Sequence, residues 1–419
     1  MPKSNISKPL AQVHPEILYA GVDLALLKNV VVVINQYAER LDQFSFSQDR
    51  PGYDYFLQRL EELRLKARAS EVVVAMEPSN YFWKLLAREL EQQQIAYRLV
   101  NAYTVKKHRE GDQLDRSKDD QRDARQIAEL SRTGHYTQTR LQQGVYEDLR
   151  QYATLYDQLQ RSIRREKQVL WGLVGQIFPE LFLVFQDLQG ETCQALLATC
   201  TPAAFIRQMT LETFLAKVRS AFSGRRLMVS KLRKLYTLAA TSLGLTDGLP
   251  AIQLAIHLHS AHLQSVQQQA QQVAQAMTDC LNSLPESPYL LSVVTLGPVS
   301  AAIFLAEIGD PHRYHSAAQW VKLAGIQPTP NTSGKKQRSR TPMSHQGRPR
   351  LRTLLYFTCL RLIQHDIHFA RLYANLQRRQ NNPLTKMQAL GVLMNKLLHI
   401  LWALINNQAF YQPAFSPSS

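Results

Sequence analysis

The sequence predicts an α/β amino-terminal domain on a mixed sheet, a helical coiled-coil middle and a mainly α carboxy-terminal domain. Three features predict it. Before residue 140, short apolar runs alternate with amphipathic stretches. From about 140 to 285 the runs give way to sustained heptads, and beyond 286 apolar, helix-length segments flank a basic stretch punctuated by Gly and Pro. The boundaries fall at 1–15 (a disordered lead-in), 16–138, 139–285, 286–410 and 411–419 (a disordered tail).

ILYAGVDLAL (17–26), VVVVIN (30–35) and QFSFS (43–47) read as three consecutive strands, with the first hairpin turning at Lys28-Asn29. A helix over 51–68 follows, then EVVVAME (71–77) as a buried strand, a helix over 79–93, and IAYRLV (95–100) as the fifth strand. In the middle, Leu149, Tyr152, Tyr156, Leu159, Ile163 and Leu170 fall on one heptad seam. Ile252, Ile256, His259, Leu263, Val266, Ala270, Val273, Met277 and Cys280 form a second. Two such seams make a coiled-coil arm that either folds back on itself or pairs subunits into a dimer or tetramer. The last domain opens with LLSVVTLGPVSAAIFLAEIGD (290–310) and closes with helices over 351–364 and 384–407.

The chain carries 49 Lys+Arg against 33 Asp+Glu, a formal charge of +16, which favours a polyanionic partner. Hydrophobic residues make 45% of it, which excludes a disordered polyelectrolyte. Four cysteines without CxxC spacing suit a reduced, cytoplasmic setting rather than a disulfide scaffold. The amino terminus lacks a signal-peptide run, and LLHILWALIN (397–406) is too short to span a bilayer, so no membrane partner is expected.

Asp23 in GVDLA and Glu77 in VVVAMEPS each end an apolar run. A carboxylate there costs free energy unless it faces solvent, is paired or binds a cation, and strand ends of α/β sheets are where ligand sites gather. In SKDDQRDARQIAELS (117–131), read as a helix, Ala124, Ile127, Ala128, Leu130 and Ser131 mark the inward side. Asp120 lies near the centre of that stripe and Asp123 three residues on, so both are expected to point inward, with Asp119 facing out. The plainer alternative is an acid-rich first turn favoured by the helix dipole. Two strand-end and two helical acids match what phosphodiester cleavage needs, oxygen ligands for two divalent ions about 4 Å apart. Magnesium suits a set without thiolates.

GVDLA, AMEPSNYFW, VNAYTVKKHRE and KDDQRDA, followed by LGPVSAAIFLAEIGD, WVKLAGIQPTPNTSGKK and GRPRLRTLLY, resemble a group of insertion-sequence transposases. These join an RNase H/RuvC-like DEDD domain to a carboxy-terminal transposase domain and include the bridge-RNA-guided serine recombinases. The resemblance implies Asp23, Glu77, Asp120 and Asp123 as the four acids. Family members usually have Thr or Ser where this chain has Asp119, so an Asp119/Asp123 pairing stays open. It further implies a nucleophilic serine at Ser333, with Thr332 and Ser339 as fallbacks, DNA partners in the element ends and target, a noncoding guide RNA, and action at the prokaryotic nucleoid. Two rivals use the same residues differently: a RuvC-type nuclease or junction resolvase hydrolysing with water, and a non-enzymatic nucleic-acid scaffold.

Residues 311–352 carry nine Lys/Arg and no acid, among them Lys335, Lys336, Arg338, Arg340, Arg348, Arg350 and Arg352, and read as a nucleic-acid contact. Lys106, Lys107, His108 and Arg109 form a smaller basic cluster after the fifth strand and read as a second contact to a nucleic-acid backbone, through Lys106, Lys107 and Arg109. VTLGPVSAA (294–302) reads as a helix-hairpin-helix turn in which Gly297 lets backbone approach phosphate. His257, His259 and His262 invite a metal reading, but no acid or Cys is expected to accompany them and they read as helix-surface or seam residues. Trp83, Trp171, Trp320 and Trp402 read as core.

Overall fold

The computed structural model describes residues 17–78, 81–102, 104–105, 107, 119–137, 141–199, 201–328, 332–333, 336–337 and 343–412. The expected lead-in and most of the tail lie outside these. The chain divides into two units, Met1–Leu141 and Gln142–Ser419.

In the first unit, β1 (Ile17–Asp23), β2 (Lys28–Ile34) and β3 (Arg40–Ser47) form an antiparallel meander. Helix α1 (Arg50–Lys66) leads to β4 (Glu71–Met76), and α2 (Phe82–Gln92) to β5 (Tyr97–Leu99). Both of these strands run parallel to β1's direction, giving the order β3-β2-β1-β4-β5 and the expected mixed sheet. Helix α3 (Asp120–Arg132) packs on β1, β2 and β4. Strand alternation sorts the two faces. Leu18, Ala20, Val22, Val72, Val74 and Met76 share a core with Phe56, Leu60 and Leu86 of α1 and α2. Ile17, Tyr19 and Val73 meet Ala124 and Ala128 of α3, and Ala75 meets Ile127 and Leu130.

The first hairpin turns four residues earlier than the Lys28-Asn29 expectation. Residues 24–27 make the turn, and Asn29 is instead its buried staple. Its Oδ1 accepts from Ala25 N at 3.0 Å while its Nδ2 donates to Gln48 Oε1 at 2.7 Å. Asp23 is therefore the last residue of β1.

The second unit is helical apart from one two-residue hairpin among its described residues. Helix α4 (Val145–Ile177) and a later long helix flank an insert of α5 (Glu191–Thr199), α6 (Ala203–Arg207), α7 (Leu211–Ser220) and α8 (Val229–Ala239). The later helix is α9 (Leu249–Asn282). Leu149 and Ala153 share a core with Met277 and Leu281, whereas Ile163 and Leu170 share one with Leu263 and Ile256. The two seams therefore meet each other within the chain, antiparallel, which is the folding-back alternative.

Then come α10 (Ser287–Leu291), α11 (Pro298–Ile308) and α12 (Ala317–Ala324). The hairpin of β6 (Thr332–Ser333) and β7 (Lys336–Gln337) follows. Helices α13 (Pro349–His365), α14 (Ile367–Arg378) and α15 (Lys386–Asn406) close the unit. Among the described residues α15 alone is long and apolar enough to cross a membrane, but half of that stretch is buried in the unit's core. It is longer than the 397–406 run because Thr385 caps it, its hydroxyl accepting from Gln388 N while Gln388 answers Thr385 N. Helix α14 was not expected; buried Asp366 starts it by accepting from His368 N and Phe369 N.

Candidate active site

Two adjacent parallel strands set the first half of the site. Val22 pairs with Met76 in the β1–β4 register, so the next residues, Asp23 and Glu77, leave the same end of the sheet side by side. By alternation both belong to the face that carries α3. Both are half-buried.

Gly21 brings α3 to them. A Cβ there would stand 2.0 Å from the Ala124 carbonyl oxygen and 2.5 Å from the Ala128 nitrogen, so the helix backbone lies directly on β1. The far end of α3 is pinned twice. Arg132 Nη1 donates to the Gln36 carbonyl at 3.2 Å, and Arg98 Nη1 donates to the Ser131 carbonyl at 3.0 Å, its guanidinium 4.0 Å from the Tyr136 ring centroid. With Arg132 reaching past the end of β2 that neighbours Ile17, the helix amino terminus must lie toward Asp23. Four residues of helix advance about 6 Å and two of strand about 6.6 Å, so Asp120 and Asp23 reach the same level from the Ala124–Gly21 contact. Asp120 extends the Ala124/Ala128 stripe over β1; Asp123 extends the Ile127/Leu130 stripe over β4 and Val100, just beyond β5.

One expectation needs correcting. Asp120 does not sit in a packed interior; it is exposed, level with Asp23 at the end of the sheet. Asp123 is half-buried, and Asp119 is the N-cap, its carboxylate accepting from Gln121 N at 3.1 Å. A capping role accounts for Asp119. The four remaining carboxylates are oxygen-only donors at one sheet end, which fits a hard divalent cation. As they stand, no three His, Cys, Asp or Glu side chains among the described residues close around a common point.

In the second unit Ser333 lies in β6 with its backbone paired to Lys336 of β7. Lys335, Arg338 and Arg340, like Lys106, His108 and Arg109 in the first unit, lie outside the described residues; Lys107 is exposed. Three of the basic residues read as phosphate contacts are committed internally. Arg350 Nη1 donates to Glu307 Oε1 at 2.9 Å, Arg348 to the Glu307 carbonyl, and Arg352 Nη1 to the Ala324 carbonyl at 2.9 Å. Burial and the neighbouring Arg150 push the Arg348 guanidinium below its usual range. Glu307 is only 8% exposed, and its distance in sequence hid this use of the arginines. Even so, residues 311–419 hold fifteen Lys/Arg and one acid, Asp366, which is buried. No carboxylate faces out there to oppose a phosphate. Burial pushes the Cys193 and Cys359 thiols up to about 12, so neither competes as a nucleophile.

Residues 20–179 match the model of the DEDD transposase domain of IS110, described as a transposase, and residues 287–374 match that of the transposase IS116/IS110/IS902 family. The chain belongs to the IS110/IS116 transposase family. The mini-circle transposase candidate for IS117 of Streptomyces coelicolor is 25% identical over 76% of this chain and 78% of its own length. The IS110 43.6 kDa protein of the same organism is 23% identical over 71% and 72%. The transposase for insertion sequence element IS1111A of Coxiella burnetii is 27% identical over 42% and 47%. Family membership carries DNA cutting and rejoining as the transposase's general activity, and its sheet order is consistent with a RuvC-like fold.

Three smaller expectations also meet the structure. An acid does accompany the histidines of this transposase: His259 Nδ1 lies 2.6 Å from Glu166 Oε2 and His262 Nε2 3.8 Å from Oε1, across the helix pair. Trp320 is buried, but Trp171 is 41% exposed, stacked on Phe182 at 4.0 Å. In front of Gly297, the N-cap of α11, a Cβ would meet nothing within 4 Å, so helix packing does not require that glycine.

Proposed function

We propose that the protein is an insertion-sequence recombinase that cuts and rejoins DNA through a composite site, with the carboxylates of the first unit handling the scissile phosphate and Ser333 attacking it. The observation that carries this reading is the convergence of Asp23 and Glu77 with the first turn of α3 at one end of the sheet. Asp23, Glu77, Asp120 and Asp123 would hold magnesium, two ions by their number, which when bound draws charge from the phosphate. The Ser333 hydroxyl forms the new phosphorus–oxygen bond as the bond to the leaving deoxyribose oxygen breaks; the serine proton passes to solvent and the leaving oxygen takes one up. Rejoining reverses this, a DNA hydroxyl displacing Ser333, so one ester replaces another and no ATP is needed. Lys335, Lys336, Arg338 and Arg340 would neutralise the charge developing at phosphorus.

A noncoding guide RNA fits the nearly acid-free carboxy-terminal surface, since a second polyanion must be held beside the DNA. Exchange synapses two duplexes, so the working form is a homo-oligomer, a dimer or tetramer, acting on nucleoid DNA. The test is incubation with element-end and target DNA and the element's noncoding RNA, with and without magnesium. Magnesium-dependent cleavage lost in Asp23→Ala supports the reading. Binding without cleavage under every condition supports the scaffold reading instead.

A further inference from the structure

We propose that the groove between α12 and α15 is a site for a nucleic-acid strand, holding unpaired nucleotides close to the phosphate presented to Ser333. The inference rests on the reading that this unit binds nucleic acid. The two helices pack together and leave a groove of about 380 Å³ whose lining includes Gln319, Lys322, Gln327, Pro328, Asn395 and His399. That volume is near the low end of the roughly 300–1,000 Å³ that ligand sites occupy, which suits a nucleotide and not a duplex.

The lining chemistry is specific. Lys322 offers a cation and His399 a ring nitrogen to a phosphate. Three primary amides, each both donor and acceptor, match the mixed edges of an unpaired base. No acid occurs in either helix, so neither repels a phosphate, and among the described residues no carboxylate pairs with Lys322. Position agrees as well. Pro328 pairs with Met343 at the base of the segment that carries β6, and Ser333 is five residues on. Five residues span at most about 17 Å, or about five nucleotide steps at 3.4 Å each. A strand in the groove therefore lies within a few nucleotides of Ser333.

Binding of the full-length protein to a labelled 12-nucleotide single-stranded DNA, and to the same sequence as RNA, tests this across a salt series. Lys322→Gln should flatten the log–log salt dependence by about 0.7, roughly a 2.6-fold difference in affinity lost between 50 and 200 mM salt. His399→Gln should weaken binding further, and Asn395→Ala should weaken it without changing the slope. Lys217→Gln, on exposed surface of the helical insert, should change nothing. All four positions are exposed or half-exposed, so unchanged thermal melts are expected. A photoreactive thiothymidine strand should cross-link to peptides from 317–328 or 391–400. A larger effect on the DNA assigns the groove to the DNA strand, and a larger effect on the RNA assigns it to the guide. Wild-type binding by every variant together with cross-links elsewhere overturns the groove while leaving nucleic-acid binding intact. A wild-type protein that binds neither strand overturns the reading beneath it.

Discussion

Gly21→Ala is the smallest change that separates the four carboxylates. The added methyl would sit 2.0 Å from the Ala124 carbonyl oxygen and 3.0 Å from the Ala128 Cβ, where ordinary contact begins at 3.4 Å. Both obstacles belong to the helix itself, one of them its backbone, so no side chain can swing aside. Helix α3 must withdraw by more than an ångström, carrying Asp120 and Asp123 away from Asp23 and Glu77. Overpacking of this kind costs about 1–3 kcal/mol, which lowers the melting temperature by roughly 2–4 °C per kcal/mol in a domain of 150–250 residues. A displacement of 1 Å in a catalytic constellation costs about 100-fold in rate. Single-turnover cleavage of element-end DNA should therefore fall about 100-fold while nucleic-acid affinity holds. Gly297→Ala, with open space at its Cβ and φ −68°, should leave the melting temperature unchanged. Wild-type cleavage and stability in Gly21→Ala would refute the placement of α3 on β1 and the site built on it.

Asp120→Ala should abolish cleavage without loss of stability, whereas Asp119→Ala should cost about 1 kcal/mol of capping in a thermal melt and leave cleavage standing; the reverse pattern would show Asp119 to be the working acid. Neutralising Lys335, Lys336, Arg338 and Arg340 together should lower the DNA salt slope by about 3–4, and an unchanged slope would remove the basic segment from the interface. Glu307→Gln removes the carboxylate that Arg350 contacts at 2.9 Å while leaving Arg348 its backbone carbonyl and Arg350 its neighbour Asp157, and should destabilise the second unit by about 1.5–3 kcal/mol in denaturant titration, with no change in the salt slope.

The first unit was legible because its signals are local. The apolar runs at 17–26, 30–35, 43–47 and 71–77 become β1 to β4 within a few residues, since β1, β2 and β4 bury alternate side chains on both faces and the edge strand β3 turns Phe44 and Phe46 to one of them. Asp23 and Glu77 were found for the same reason: an acid that ends an apolar strand stands out without coordinates. What stayed hidden depends on partners distant in sequence. Gly21 is unremarkable until Ala124 lies against it, and Glu166 reads as an ordinary helical acid until the chain folds back and delivers His259. Arg348 and Arg350 look like phosphate contacts until Glu307 is seen to hold them. Asp120 failed in the opposite direction. A helical stripe gives the angle of a side chain but not where the sheet beneath it stops, and Asp120 stands level with Asp23, the last residue of β1.

Ser333 decides whether the chemistry is recombination or hydrolysis. Element-end DNA, the noncoding RNA and magnesium are incubated with wild type and with Ser333→Ala, and the products are run on denaturing gels before and after protease. Wild type should leave protein joined to one DNA end through a protease-sensitive adduct, and Ser333→Ala should bind DNA equally well and form none. An adduct that persists in Ser333→Ala would move the nucleophile to Thr332 or Ser339. Magnesium-dependent cutting by wild type with no adduct at any time would contradict the account and establish hydrolysis by the carboxylates alone.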